Sequence, residues 1–300
     1  MINKINNFQK GLFIILSIFS LIFLHYSNLA NNLNNQIYLL FFLVSLIGIP
    51  HGFFDFSIGK IIFKKYARFW SLYFVTIYIF ITFAYFIAWF IIPGISLIFF
   101  LFIAAYHFGF EDYNYFKNGK TIYININIFI KGLIIVFTPI LFHFDNVNYL
   151  FYLLIGYGVS GIEFSLTQKI LFIFLSISHI IFEKDKNYLH KFEGLFCFGN
   201  FILLPPLISF TLYFCFLHSA RHFIESIYIT KLMPDNFTIK GFLIFIIICS
   251  LFFSLASVTL ISNIYEISIN ETIIKYIFII LACLTLPHMI FNMWPYDKNN

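Results

Sequence analysis

Apolar residues run along this chain in long continuous blocks rather than in alternation. A half-buried strand alternates with a period of two, whereas a helix crossing the hydrocarbon core needs about 20 mostly apolar residues in succession. In lipid only helices and closed barrels satisfy their own backbone polar groups, so the pattern predicts an all-α, polytopic transmembrane bundle. Ten spans are expected, at 11–27, 36–59, 69–92, 95–116, 122–142, 147–182, 193–208, 210–230, 241–262 and 272–293. The breaks carry turn chemistry: NNLNN at 31–35, Pro93-Gly94, Asp145-Asn146, Pro205-Pro206 and Pro234-Asp235. The stretch 147–182 has the length of two crossings, yet Gly156, Gly158 and Gly161 interrupt it and Glu163 sits within it.

Charge gives the bundle a direction. With an internal N-terminus and one crossing by 147–182 beside a re-entrant or surface piece, Lys4, Lys10, Lys60, Lys64, Lys65, Arg68, Lys117, Lys120, Lys184, Lys186, Lys191, Lys231, Lys240 and Lys298 are all cytoplasmic. Only Lys275 then falls outside, at a span boundary, which agrees with the positive-inside rule. Two crossings there would move Lys231 and Lys240 outside together with the 184–191 cluster. The expectation is one integral membrane domain over 1–300, multi-pass in the cell membrane, with both termini cytoplasmic. The first apolar run is read as a retained span, because no small-residue cleavage site ends it. KIIFKKYAR at 60–68 reads as a cytoplasmic anchoring loop, and Trp70, Trp89 and Trp294 as interfacial anchors.

Composition sharpens this in one respect. Hydrophobic residues are 61% of the 300-residue chain and charged residues 10%, so no water-facing surface of ordinary size can be covered. The net charge of +5 is scattered through short loops, which excludes a nucleic-acid partner. The 46 Phe residues reflect in part AT-rich codon usage, so Phe abundance alone marks no ligand contact. Cys197, Cys215, Cys249 and Cys283 lie in apolar runs without CxxC spacing and read as small core hydrophobes.

Ionisable groups inside spans are costly and are functional candidates by default. His51 lies in GIPHGFFD, His107 in AAYHFGFED, His218 and His222 in LHSARH, and His288 in LPHM. These fall on the second, fourth, eighth and tenth expected spans, which run in one direction and place the imidazoles at similar depth. His218 and His222, four residues apart, share one helix face at about 6 Å, a spacing that lets two imidazoles hold one metal ion. With His51 and His107 they form a candidate four-histidine site, leaving two positions of a six-coordinate metal for oxygen or substrate. Imidazole suits Zn, Cu, Fe and Ni alike, so ligand type does not select the metal. Asp55 follows His51 by four residues, Glu111 follows His107 by four and Asp112 by five, which suits carboxylates that orient ligating imidazoles. Arg221 needs a partner, with Asp55, Asp112 and Glu225 as candidates. His288, beside Pro287, reads equally as an interhelical hydrogen-bonding group. His25, His143, His179 and His190 sit near span ends or in loops and read as structural.

Taken together and in this order, GIPHGFFD (48–55), YHFGFED (106–112), HSARH (218–222) and LPHM (286–289) resemble the Brp/Blh family of bacterial and archaeal membrane β-carotene 15,15′-dioxygenases. The resemblance covers about 36–293. It implies ferrous iron (Fe2+) held by His51, His107, His218 and His222, with His288 in a further family motif. It also implies cleavage of the central double bond of β-carotene by O2 to two all-trans-retinal, within the lipid bilayer, and a functional link to a retinal-binding rhodopsin. An apolar tunnel for the polyene would suit this chemistry. Phe53, Phe54, Phe108 and Phe110 flank the ligands and read as its lining or as ordinary helix packing. Among alternatives, a membrane di-iron lipid desaturase or hydroxylase calls for more histidines, including adjacent pairs, and this chain has no HH dipeptide. A transporter or assembly protein with structural histidines lacks support from an inverted repeat. Bis-histidine haem ligation suits the neighbouring carboxylates less well.

Overall fold

A computed structural model describes residues 2–26, 32–64, 68–112, 126–183, 188–229 and 237–293. All regular structure among these residues is helical: α1 (Ile2–Tyr26), α2 (Leu33–Phe63), α3 (Trp70–Ile91), α4 (Pro93–Asp112), α5 (Ile126–Phe142), α6 (Phe144–Ile155), α7 (Leu166–Phe182), α8 (Tyr188–Leu203), α9 (206–229), α10 (Phe237–Tyr265) and α11 (Ile269–Asn292). The chain is an all-α helical bundle of membrane type. Five described helices are long and apolar enough to cross a bilayer, or six if the α5–α6 pair forms one broken span. Many of the cytoplasmic lysines that orient the expected topology, such as Lys65, Lys117, Lys120 and Lys231, lie outside the described residues.

Two prolines explain where the expected boundaries move. Pro93 opens α4 directly after α3, because a missing N–H costs nothing in the first turn of a helix. Tyr85 Oη donates to Ser96 O at 2.9 Å and ties this corner together. Pro205 and Pro206 end α8 at Leu203 and start α9, so the expected spans 193–208 and 210–230 meet several residues earlier than their sequence limits.

The 147–182 stretch resolves into two unequal pieces. α6 bends away from α5 by 102°, and its 12 residues are too short to cross a bilayer alone, at about 1.5 Å per residue. Gly156, at φ 82°, terminates α6 in the left-handed region that only glycine enters without strain. An exposed connection follows, and Ser165 with Gln168 forms a capping box that starts the 17-residue α7.

α2 is not a regular helix. It passes from an α-helical start (Leu33–Leu43) through a π turn (Val44–Gly48) and a 3-10 segment (Ile49–Phe54) before resuming at Asp55. Ile49 N–H reaches back five residues to Val44 O. The next such donor would be residue 50, a proline without an N–H, and Ser250 Oγ of α10 donates to the Ser45 carbonyl instead, at 2.8 Å. The break thus falls on the GIPHGFFD motif and sets the direction of the side chains that follow it. α9 carries a second π stretch, Leu212–Ser219, which includes His218.

α4 and α5 cross with their backbones in contact. A Cβ on Gly109 would lie 1.9 Å from Ile128 O, and one on Gly132 would lie 1.5 Å from Ala105 O. The glycine of YHFGFED therefore serves packing, and through it the placement of His107 two residues earlier.

The main core gathers apolar side chains from every described helix except α7. Trp89 belongs to it: 4% exposed, its ring packs 6.4 Å from that of Tyr85 and 6.5 Å from that of Phe100. The interfacial role expected for Trp89 is thereby overturned, because the α3–α4 corner folds it inward. Trp70 is half-buried against Phe56, and Trp294 lies outside the described residues. None of the four cysteines forms a disulfide among the described residues. Cys197, Cys215 and Cys283 are core residues as expected, whereas Cys249 is exposed on α10.

Candidate metal centre

Three helices and the broken α2 converge on one buried polar cluster. α4 supplies His107 and, one turn on, Glu111; α9 supplies His218 and His222; α11 supplies His288 and Asn292; α2 supplies Asp55. Each of these side chains is buried. His107 Nε2 lies 3.1 Å from His218 Nε2. The His288 ring centroid is 5.2 Å from that of His107 and 4.7 Å from that of His222. Candidate ligand atoms of Asp55, His222 and His288 all fall within 4.8 Å of one another, as do those of His107, Glu111 and His288.

His107, His218 and His222 are brought together as the sequence leads one to expect. His51 lies in the 3-10 segment of α2, and its side chain is outside the described residues. His288 joins the cluster and, with Asp55 of α2, makes an interhelical hydrogen bond of the kind expected of it. The side chains of Asp112 and Glu225 are also outside the described residues.

The carboxylates find different partners from those expected. Asp55 does not reach Arg221. It accepts from His288 Nδ1 at 2.8 and 2.9 Å, from Tyr78 Oη at 2.9 Å and from Asn292 Nδ2 at 3.1 Å. A proton held on Nδ1 by this carboxylate leaves Nε2 as the lone-pair nitrogen of His288, the arrangement typical of a metal-ligating imidazole. Glu111 faces another helix: its Oε2 lies 3.3 Å from His222 Nδ1, while Ser226 Oγ stands 3.1 Å from His222 Nε2.

Arg221 hydrogen-bonds Glu193 of α8, a carboxylate not foreseen for it, while Asp112 and Glu225 stand outside what the structure describes of side chains. Glu193 belongs to a second buried polar chain. His190 Nδ1 lies 3.5 Å from Glu193 Oε1, Lys131 Nζ lies 2.9 Å from His190 Nε2, and Lys131 pairs with Glu183 at 3.0 Å. His190 is thus a buried member of an ion network and not a loop residue. The spans predicted for Lys131 and Glu193 already made both intramembrane charges, which was the available signal. Tyr78 and Asn292 carried no such signal, since their role depends on a contact with α2. His143 keeps its structural reading, with Nε2 3.0 Å from Ile202 O.

The donor set fits a divalent cation. Two carboxylates and at least four imidazoles meet in a buried site, and neither Glu111 oxygen completes a hydrogen bond among the described residues. A buried carboxylate without such bonds is costly, and a bound cation supplies the missing charge. Two nitrogens held about 2.1 Å from one ion at right angles stand about 3 Å apart, close to the His107–His218 separation. Lys131, His190, Glu183 and Glu193 form no comparable site, because the lysine and Arg221 already neutralise the two carboxylates.

The aromatic residues beside the ligands take separate places. Phe108 packs its ring 5.0 Å from that of His218, and Phe54 is buried against Phe53 and Phe223. Phe110 stacks on Tyr106, and Phe53 lines a cleft of about 300 Å³ that reaches Asp55 and His288.

A family model described as β-carotene 15,15′-dioxygenase matches residues 42–295, which takes in every member of the cluster. A relative named β-carotene 15,15′-dioxygenase, from uncultured marine bacterium 66A03, is 30% identical over 261 residues, or 83% of this chain and 90% of its own length. No solved structure matches the chain. With motifs, fold and buried cluster in agreement, the chain belongs to the β-carotene 15,15′-dioxygenase family.

Proposed function

We propose that this protein cleaves the central double bond of β-carotene with O2, yielding two all-trans-retinal, at an Fe2+ centre held by His51, His107, His218 and His222. The single observation that carries this reading is the 3.1 Å approach of His107 Nε2 to His218 Nε2 within the buried imidazole–carboxylate cluster. One C=C bond is lost and two C=O bonds form, so one O2 balances the reaction. Bound ferrous iron supplies the redox chemistry through which O2 reacts with a closed-shell alkene. The chain's own residues hold the imidazoles. Asp55, with Tyr78 and Asn292, fixes the His288 ring, and the Glu111 carboxylate stands beside Nδ1 of His222. The apolar walls around Phe108 and Phe54 exclude water from the reacting carbons.

The same reading has the chain cross the cell membrane ten times with both ends cytoplasmic. Substrate and product then stay in the bilayer, where a retinal-binding rhodopsin can take the product up. Expression in β-carotene-producing bacteria tests the activity: the cells should bleach and accumulate retinal. Orange cells with folded protein in their membranes would overturn it.

A further inference from the structure

The cleft of about 300 Å³ lies between α3, α11 and the broken turn of α2. Its inner end is polar and buried, with Asp55 3% and His288 2% exposed. Its outer wall is apolar and open, with Val75 39% and Ile79 61% exposed. Those two residues belong to α3, a 22-residue span of mean hydropathy 2.2 without a charged side chain, whose exposed face meets acyl chains. The mouth of the cleft therefore opens sideways into lipid.

We propose that this cleft is a lateral doorway by which a long polyene passes from the bilayer to the histidine cluster, and the seat of one half of that polyene. Phe53 of α2, Val75 of α3 and Leu284 of α11 form its jambs. The inference rests on the carotenoid reading above and adds a binding site to it. The volume lies at the lower end of the range for small-molecule sites, which suits part of a long substrate better than the whole. A second cleft, of about 110 Å³ and lined wholly by apolar side chains, includes Phe108, the ring that packs on His218. The two clefts share no lining residue: the first reaches His288, and the second ends on Phe108, whose ring packs on His218. A polyene with one end in each has an interior bond, not a terminus, beside the cluster. A sideways mouth also spares the hydrocarbon a passage through water, which costs about 25 cal/mol per Å² of apolar surface.

The test uses the full chain in lipid nanodiscs, with β-carotene as the probe and its absorbance shift on the metal-free protein as the readout. Val75→Trp and Leu284→Trp narrow the doorway from facing helices, and each should weaken binding about tenfold or more. Ile98→Trp, on the exposed face of α4 and outside both clefts, should bind as the parent does. Iron content after reconstitution reports whether each variant keeps its centre. Should a tryptophan variant lose iron, the smaller Val75→Phe and Leu284→Phe take its place. Unchanged binding in iron-competent doorway variants, or no binding by the parent, overturns the doorway. Binding that the doorway variants lose, in a parent that forms no retinal, supports the doorway and overturns the catalytic reading instead.

Discussion

His288 Nδ1 lies 2.8 Å from one oxygen of Asp55 and 2.9 Å from the other, joining residues 233 positions apart in the chain. The contact links the last described helix to the point where α2 recovers from its proline-induced break. Removing the Asp55 carboxylate leaves the imidazole without the group that fixes its orientation. Because His288 stands beside the four proposed ligands and is not one of them, Asp55→Asn should lower iron affinity by less than the roughly 10–100-fold that losing a ligand's own partner costs. Chelator competition on the purified variant measures this. Tyr78→Phe, which removes one of several bonds to the same carboxylate, should cost less.

His107→Ala and His218→Ala should each abolish stable iron binding, because their facing nitrogens define the centre of the cluster. Elemental analysis of the purified variants reads the result. Full iron occupancy in both would contradict the assignment.

Part of this arrangement was legible in the sequence. The i, i+4 spacing of His218 and His222 and the gathering of His107 and His288 with them follow from helical geometry and charge asymmetry alone. Pairings across the bundle did not follow. Asp55 is spaced to serve His51, and only the π and 3-10 turns before it carry its carboxylate to His288. Arg221 likewise meets Glu193, a residue whose position opposite α9 depends on the packing of α8. Uniform apolar runs give no register between helices, which is also why the inward turn of Trp89 escaped the pattern.

Gly109→Ala should destabilise the protein, since its new methyl would lie 1.9 Å from Ile128 O and the backbones of α4 and α5 must separate. A penalty of about 1–3 kcal/mol is typical of overpacking. Gly132→Ala should behave alike, and thermal denaturation in detergent compares both with the parent. An unchanged melting temperature would show that the helices cross less closely.

Glu193→Leu removes a hydrogen-bonded carboxylate from the buried Arg221 guanidinium and should cost about 3–5 kcal/mol. Adding Arg221→Met should return much of that loss, because a buried ion pair replaced by apolar groups of similar size is often neutral. Melting curves of the single and double variants decide between this and a purely additive effect.

The most direct measurement is product analysis on the purified, iron-loaded chain supplied with β-carotene and O2. The account predicts all-trans-retinal as the product, two molecules for each β-carotene consumed, and none from the His107→Ala protein. Apocarotenals of unequal length, or intact β-carotene in the presence of folded, iron-loaded protein, would contradict it.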